Sequence, residues 1–154
     1  MVDVFNAKTR SRVMASIGSK DSAPELALRR YLHGKGYRYR LHVRGYPGTP
    51  DIILPKYRVA IFVHGCFWHH HSGCALAAVP ASNGGFWINK LKSNQERDLR
   101  QIASLRLAGW RVAVLWECAA RKGAADANIF GSLEKWLSQT GKFREFPATP
   151  HRKK

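Results

Sequence analysis

Residues 59–74 read VAIFVHGCFWHHHSGC. The run Val59 to Val63 is apolar, rich in β-branched side chains and too short for a helix, so it predicts a buried strand that delivers His64 at its C-terminal end. Four histidines, two cysteines and the pair Phe67-Trp68 then crowd one loop. Cys66, His71 and Cys74 each offer a thiolate or an imidazole, the ligands that a tetrahedral ion such as zinc takes.

Working outward, Cys118 follows a second β-run, Arg111 to Trp116, and would complete a Cys₃His set. Three cysteines are an odd count for disulfides and a natural count for such a site. A closed four-ligand set is structural, and its work would be to pin the loop carrying His69 and Phe67-Trp68. The bland alternative leaves Cys118 as an ordinary buried cysteine. For Phe67 and Trp68 two readings stand: core packing, or a wedge between base pairs.

Upstream, Asp51 heads the apolar run Ile52 to Leu54, which turns through Pro55 to Arg58 into the Val59 strand. An acidic residue at one strand end, beside a strand carrying polar groups, is how many nucleases hold Mg²⁺ against a phosphate. Pro-Asp at a strand start is also common turn chemistry. Tyr37 to Val43 alternates as a half-buried strand with a basic outer face, and Gly45 to Pro50 is a turn-rich loop. A helix starts at Ser22, with Pro24 in its first turn, Leu28, Tyr31 and Leu32 as its stripe and Gly34 or Gly36 as its stop. Glu25, three residues after the cap, reads from spacing as half of a capping box.

Downstream, Ala75 to Gly85 is irregular, and a long helix is expected over Phe86 to Ala108, with Ile88, Leu91, Leu99, Ile102 and Leu105 inward and Gly109 as stop. A final helix is expected from about Asp126 to Thr140. The organisation is then a basic N-terminal arm, 1–20, a single domain, 21–141, and a basic tail, 142–154. In the arm, Met14 fits either a short helix docked on the core or a contact to DNA.

The 154 residues carry a formal charge of +16, with 26 Lys and Arg against 10 Asp and Glu, far more than solubility requires. A polyanionic partner follows, and nucleic acid is the first candidate. A membrane-surface role is disfavoured: there is no long amphipathic basic helix, no lipidation signal and no apolar run near about 18 residues. The N-terminus shows no signal-peptide h-region, which points to the cytoplasm. With no heptad pattern, a monomer is expected.

The motifs TRSRVMASIGSKDSAPE, PGTPDIIL, FVHGCFWHHH, FWINKLKSNQERD and GWRVAVLWEC together resemble the very short patch repair (Vsr) DNA mismatch endonucleases over nearly the whole chain. The resemblance implies an α/β, restriction-endonuclease-like mixed sheet flanked by helices, with a structural zinc site. The usual Glu-x-Lys of that fold is replaced by histidine chemistry, and Val63-His64-Gly65 stands where it would be. The implied activity is nicking of duplex DNA on the 5′ side of the thymine in a T:G mismatch left by deamination of 5-methylcytosine, in a bacterial, nucleoid-associated setting. Carried over, Asp51 and the Val63 carbonyl would hold Mg²⁺, His69 would handle the proton of the attacking water with Glu25 orienting it, and His64 would lie near the phosphate. Asp98 is a weaker candidate for the same network. Cys66, His71, Cys74 and Cys118 would hold Zn²⁺, with His71 taken as ligand in preference to His70. Phe67 and Trp68 would wedge beside the mismatch from the major groove and Met14 from the minor groove. The rival readings are a non-catalytic zinc-stabilised DNA-binding module and a restriction-like nuclease that cuts unmismatched DNA.

Overall fold

A computed structural model describes residues 21–121 and 128–148. Strands β1 (Arg40–Leu41), β2 (Ile52–Leu54), β3 (Val59–His64), β4 (Arg111–Trp116) and β5 (Phe143–Phe146) form one sheet in that spatial order. β1, β2 and β3 are joined antiparallel, whereas β3, β4 and β5 run parallel. Parallel neighbours need long crossovers, and helices supply them: α2 (Gly84–Leu107) lies between β3 and β4, and α3 (Glu117–Ala120) and α4 (Ile129–Leu137) fall between β4 and β5. Helix α1 (Ala23–Gly34) precedes the sheet.

Strand alternation sorts the core into two layers. Ile52, Leu54, Val59, Ile61, Ala113 and Leu115 pack with Leu28 and Leu32 of α1 and with Leu133, Trp136 and Leu137 of α4. Ile53, Ala60, Phe62, Val112, Val114 and Trp116 face the other way, toward Leu105 of α2. Both faces of the central strands are thus covered, which is why they read as unbroken apolar runs. At about 1.5–3 kcal/mol for each fully buried aliphatic side chain, these layers are the main source of stability. Arg111 locks the sheet to α4: its guanidinium donates to the carbonyls of Leu137 at 3.0 Å and Trp136 at 2.8 Å, and lies over the Trp136 ring.

Several expectations need correction. The strand expected over Tyr37 to Val43 shrinks to Arg40–Leu41, because His42 takes a left-handed φ of 47° that ends pairing. Ile88 and Leu99, expected inward, are exposed, since the inner stripe of α2 is partly polar and runs Leu91, Asn94, Asp98, Leu105. The segment assigned to a tail includes β5, whose Phe146 is fully buried in the core. Ser22 caps α1 by accepting the Glu25 N–H at 3.4 Å, but the Glu25 side chain turns to Arg29 and His42, so the second half of the expected capping box is absent. Met14 and the rest of the arm lie outside the described residues.

Candidate active site and metal centre

Parity along the strands brings the chemistry to one place. Asp51 stands one residue before β2 and shares the face of Ile53; His64 ends β3 on the face of Ala60 and Phe62, so both turn toward α2. Together with Val63, His69, Arg97 and Asp98 they line a cleft of about 700 Å³. One wall is the 44–50 loop, where Gly48 (φ 73°) lies so close to α2 that a Cβ would sit 2.6 Å from the Gln101 side chain. Only glycine allows that approach.

The Asp51 carboxylate accepts the Val63 N–H at 2.7 Å. A strand residue turns its N–H and C=O to the same side, so the Val63 carbonyl faces the Asp51 region too. Burial, reinforced by the nearby Glu25 carboxylate, pushes the Asp51 carboxyl up to about 7 against the opposing pull of the Val63 N–H and Arg29. A carboxylate and a carbonyl are hard oxygen donors of the kind a Mg²⁺ ion takes while keeping several waters. The donor set therefore fits such an ion.

Across the cleft, His69 Nδ1 lies 2.6 Å from Asp98 Oδ2. An ionised carboxylate only accepts, so Nδ1 carries the proton and the Nε2 lone pair is left for chemistry. The His69 ring stacks on His64, with centroids 3.7 Å apart and planes 1° apart. Burial lowers the His64 pKa well below the usual range, and the neighbouring His69 and Arg97 push it the same way, so His64 is neutral. The partner of His69 is Asp98, from the middle of α2; Glu25, expected in that role, is instead paired with Arg29 and His42.

Helix α2 also holds the histidine loop. Asn94 Nδ2 donates to the Trp68 carbonyl at 2.9 Å, and Gln95 Nε2 to the His70 carbonyl at 3.0 Å. Asn94, Gln95 and Asp98 thus fix three successive loop residues of the run Trp68, His69, His70 from adjacent helical turns, a role for Asn94 and Gln95 that an apolar-period reading does not detect. Phe67 and Trp68 are half-buried and meet Trp87 edge to face, with centroids 5.3 and 5.9 Å away; Phe86 beside it is exposed. Trp87 was not singled out in the sequence, because at the start of a helix it has the look of ordinary packing.

The ligand atoms of Cys66, His71, Cys74 and Cys118 all lie within 4.8 Å of one another. His71 Nδ1 is 3.6 Å from Cys66 Sγ and 3.5 Å from Cys118 Sγ. Bond lengths of about 2.3 Å to sulfur and 2.05 Å to nitrogen at a tetrahedral angle place these atoms about 3.6 Å apart. The spacing matches. Burial raises the Cys66 and Cys118 thiols, and a bound cation would favour the thiolates that hold it. His71 stacks on Trp116 at 4.1 Å, which fixes the ring plane. His70 is not part of this group.

The chain is similar to known proteins over most of its length. The family model described as DNA mismatch endonuclease Vsr matches residues 2–75. The DNA mismatch endonuclease Vsr of Escherichia coli (strain K12) is 43% identical over 143 residues, covering 92% of this chain and 91% of the relative. The type II nicking enzyme V.XorIIP of Xanthomonas oryzae pv. oryzae is 44% identical over 135 residues, 87% of this chain and 98% of the relative. V.NmeAIP, a type II nicking enzyme of Neisseria meningitidis, is 43% identical over 124 residues, 80% of this chain and 88% of the relative. With identity of this level spread over nearly the full length of both partners, the chain belongs to the DNA mismatch endonuclease Vsr family.

Proposed function

We propose that this chain nicks duplex DNA on the 5′ side of the thymine in a T:G mismatch arising from 5-methylcytosine deamination, by Mg²⁺-dependent phosphodiester hydrolysis, as a monomer acting on DNA in the cytoplasm. The observation that carries the hydrolytic part is the His69–Asp98 pair, 2.6 Å apart, sharing one cleft with Asp51. A binding module has no use for that combination. The similarity to a mismatch endonuclease and to nicking enzymes supports the substrate and the single-strand outcome.

In this reading Asp51 and the Val63 carbonyl would hold Mg²⁺, which would supply positive charge to offset the negative charge that develops at the scissile phosphate. His69 accepts the proton of the attacking water at Nε2, and Asp98 stabilises the imidazolium that results, as an acceptor at Nδ1–H. His64, neutral and stacked on His69, excludes water from one face of that ring and fixes its plane. Arg97 lines the same cleft and supplies a positive charge for a phosphate oxygen. Cys66, His71, Cys74 and Cys118 would hold Zn²⁺, which would pin the far end of the loop so that its near end presents His69. Phe67 and Trp68, braced by Trp87, serve as the wedge that recognises the weakened stack at a mismatch, joined by Met14 from the N-terminal arm.

The test is a nicking assay on end-labelled duplexes, one fully paired and one carrying T:G in several flanking contexts, with and without Mg²⁺. A Mg²⁺-dependent break confined to the T strand, 5′ of the mismatched T, is the expected result. Equal cutting of the paired duplex would replace mismatch repair with a restriction-like activity.

A further inference from the structure

The two ring nitrogens of His71 face different surroundings. Nδ1 stands 3.6 Å from Cys66 Sγ and 3.5 Å from Cys118 Sγ, on the side that fits a zinc ion, and the ring lies flat on Trp116. His71 is 5% exposed, and its Nε2 is buried with no hydrogen-bond partner among the described residues. A neutral imidazole that gives its Nδ1 lone pair to a metal carries its proton at Nε2. A buried N–H of that kind calls for an acceptor, and metal-bound histidines nearly always find one in a carboxylate, a carbonyl or a water. The indole Nε1 of Trp116 is a second buried donor without a partner among the described residues.

Strand parity brings one acidic side chain to this place. Val114 of β4 and Glu145 of β5 are register partners, so Glu145 shares the face of Val112, Val114 and Trp116, whereas Phe146, one residue on, turns into the opposite layer. His71, Trp116 and Glu145 line one pocket of about 370 Å³, bounded by α2 and by β5 at the edge of the sheet. The other carboxylate in its lining, Asp98, is already bonded to His69. Burial lowers the His71 pKa while the Glu145 carboxylate pulls it back up, so the two groups act on one another across the pocket.

We infer that Glu145 is the acceptor for the His71 Nε2–H in the zinc-loaded protein, and thus a positioning residue for the metal centre. The inference rests on the proposed zinc role of Cys66, His71, Cys74 and Cys118. A rotamer change of Glu145, or a bridging water in the pocket, completes the bond. Its negative charge fixes the His71 tautomer and makes the imidazole a stronger ligand. It also couples β5 to the loop that presents His69, two residues before His71.

The test compares the full chain with Glu145→Ala, Glu145→Gln and, as a control on the same strand, the exposed Arg144→Ala, each titrated with Zn²⁺ against a chromophoric chelator. Wild type is expected to bind one Zn²⁺ per chain and Glu145→Ala to bind it about 10–100-fold more weakly. Glu145→Gln, which keeps an acceptor oxygen without the charge, should fall between them, and Arg144→Ala should match wild type. In zinc-loaded protein with ¹⁵N-labelled histidine, the His71 Nε2–H resonance should lie downfield in wild type and move upfield in Glu145→Ala, a change that loosened packing of β5 would not produce. A wild type that takes up no Zn²⁺ would sink the metal reading and the inference with it. Zinc uptake by wild type, with affinity and the His71 resonance unchanged in Glu145→Ala, would overturn the inference alone. Equal losses of affinity in Glu145→Ala and Arg144→Ala would also overturn it, by assigning the effect to the packing of β5.

Discussion

The imidazoles of His64 and His69 lie face to face, 3.7 Å between centroids and 1° from parallel, and of the two, among the described residues, His69 is the one hydrogen-bonded to a carboxylate. Two stacked imidazoles cannot both be charged at low cost, and the geometry resolves this by burying His64 in the neutral form while Asp98 supports His69. We therefore propose His69 as the general base. Asp98→Asn should leave folding and DNA binding intact while lowering the single-turnover nicking rate by about 10²–10⁴-fold, as in other His–carboxylate pairs. Parallel rate and gel-shift measurements check it, and a rate within a few-fold of wild type would return the orienting role to another residue.

Asp51 gives a pH dependence whose sign can be worked out. Its carboxyl is raised from 3.8 to about 7 in the folded, metal-free chain, so between those values the folded state binds the proton that the unfolded state has released. The stability from this group is thus present below the unfolded pKa and lost as pH rises through about 7. A divalent ion competes with that proton. Apparent Mg²⁺ affinity should climb as pH rises through about 7 and then level off, while metal-free stability falls over the same window. Asp51→Asn should flatten the stability trend, measured by thermal melting from pH 5 to 8 in metal-free buffer.

The Cys66, His71, Cys74 and Cys118 group ties the loop after β3 to the end of β4. Removing the ion it fits should cost the loop its anchor. Purified protein should contain one Zn²⁺ per chain, and a strong chelator or Cys66→Ala should lower the melting temperature by about 10 °C or more, since structural zinc contributes folding energy outright. His70→Ala should leave zinc content unchanged. Elemental analysis of the variants distinguishes His70 from His71.

Trp87 braces both members of the Phe67-Trp68 pair. Phe67→Ala and Trp87→Ala should each weaken T:G binding by about 1–3 kcal/mol, the range for lost base–aromatic stacking, with less effect on paired DNA. Competition binding with matched duplexes measures the difference. Equal loss on both duplexes would assign these rings to packing alone.

Much of this was legible in the sequence because local pattern and tertiary role coincide there. Val59–His64 and Arg111–Trp116 are central strands buried on both faces, and such strands read as apolar runs wherever they occur. The cysteine-histidine spacing was equally direct, since metal ligands must be specific residue types. The misses have physical causes. β5 is four residues with two charges, FREF, and is a strand only because β4 offers it an edge. Asp98 stands in the sequence only as a weaker candidate, because it falls at helical spacing between Leu91 and Leu105 and a count of apolar positions skips a carboxylate on the inner face. Glu25 looked like a cap because Ser22 really is one; its side chain was captured by Arg29, four residues on, and by His42, which no local pattern connects to it.

The most direct test of the account separates cutting from recognition in one pair of variants. Asp51→Ala and His69→Ala are assayed side by side for nicking of a T:G duplex in Mg²⁺ and for binding of the same duplex by gel shift. The account predicts that both bind the mismatch with affinity within a few-fold of wild type while nicking falls by at least about 10²-fold in each. Full nicking by both variants would contradict it, because the cleft lined by Asp51, His64, His69 and Asp98 would then not be where the phosphodiester is hydrolysed.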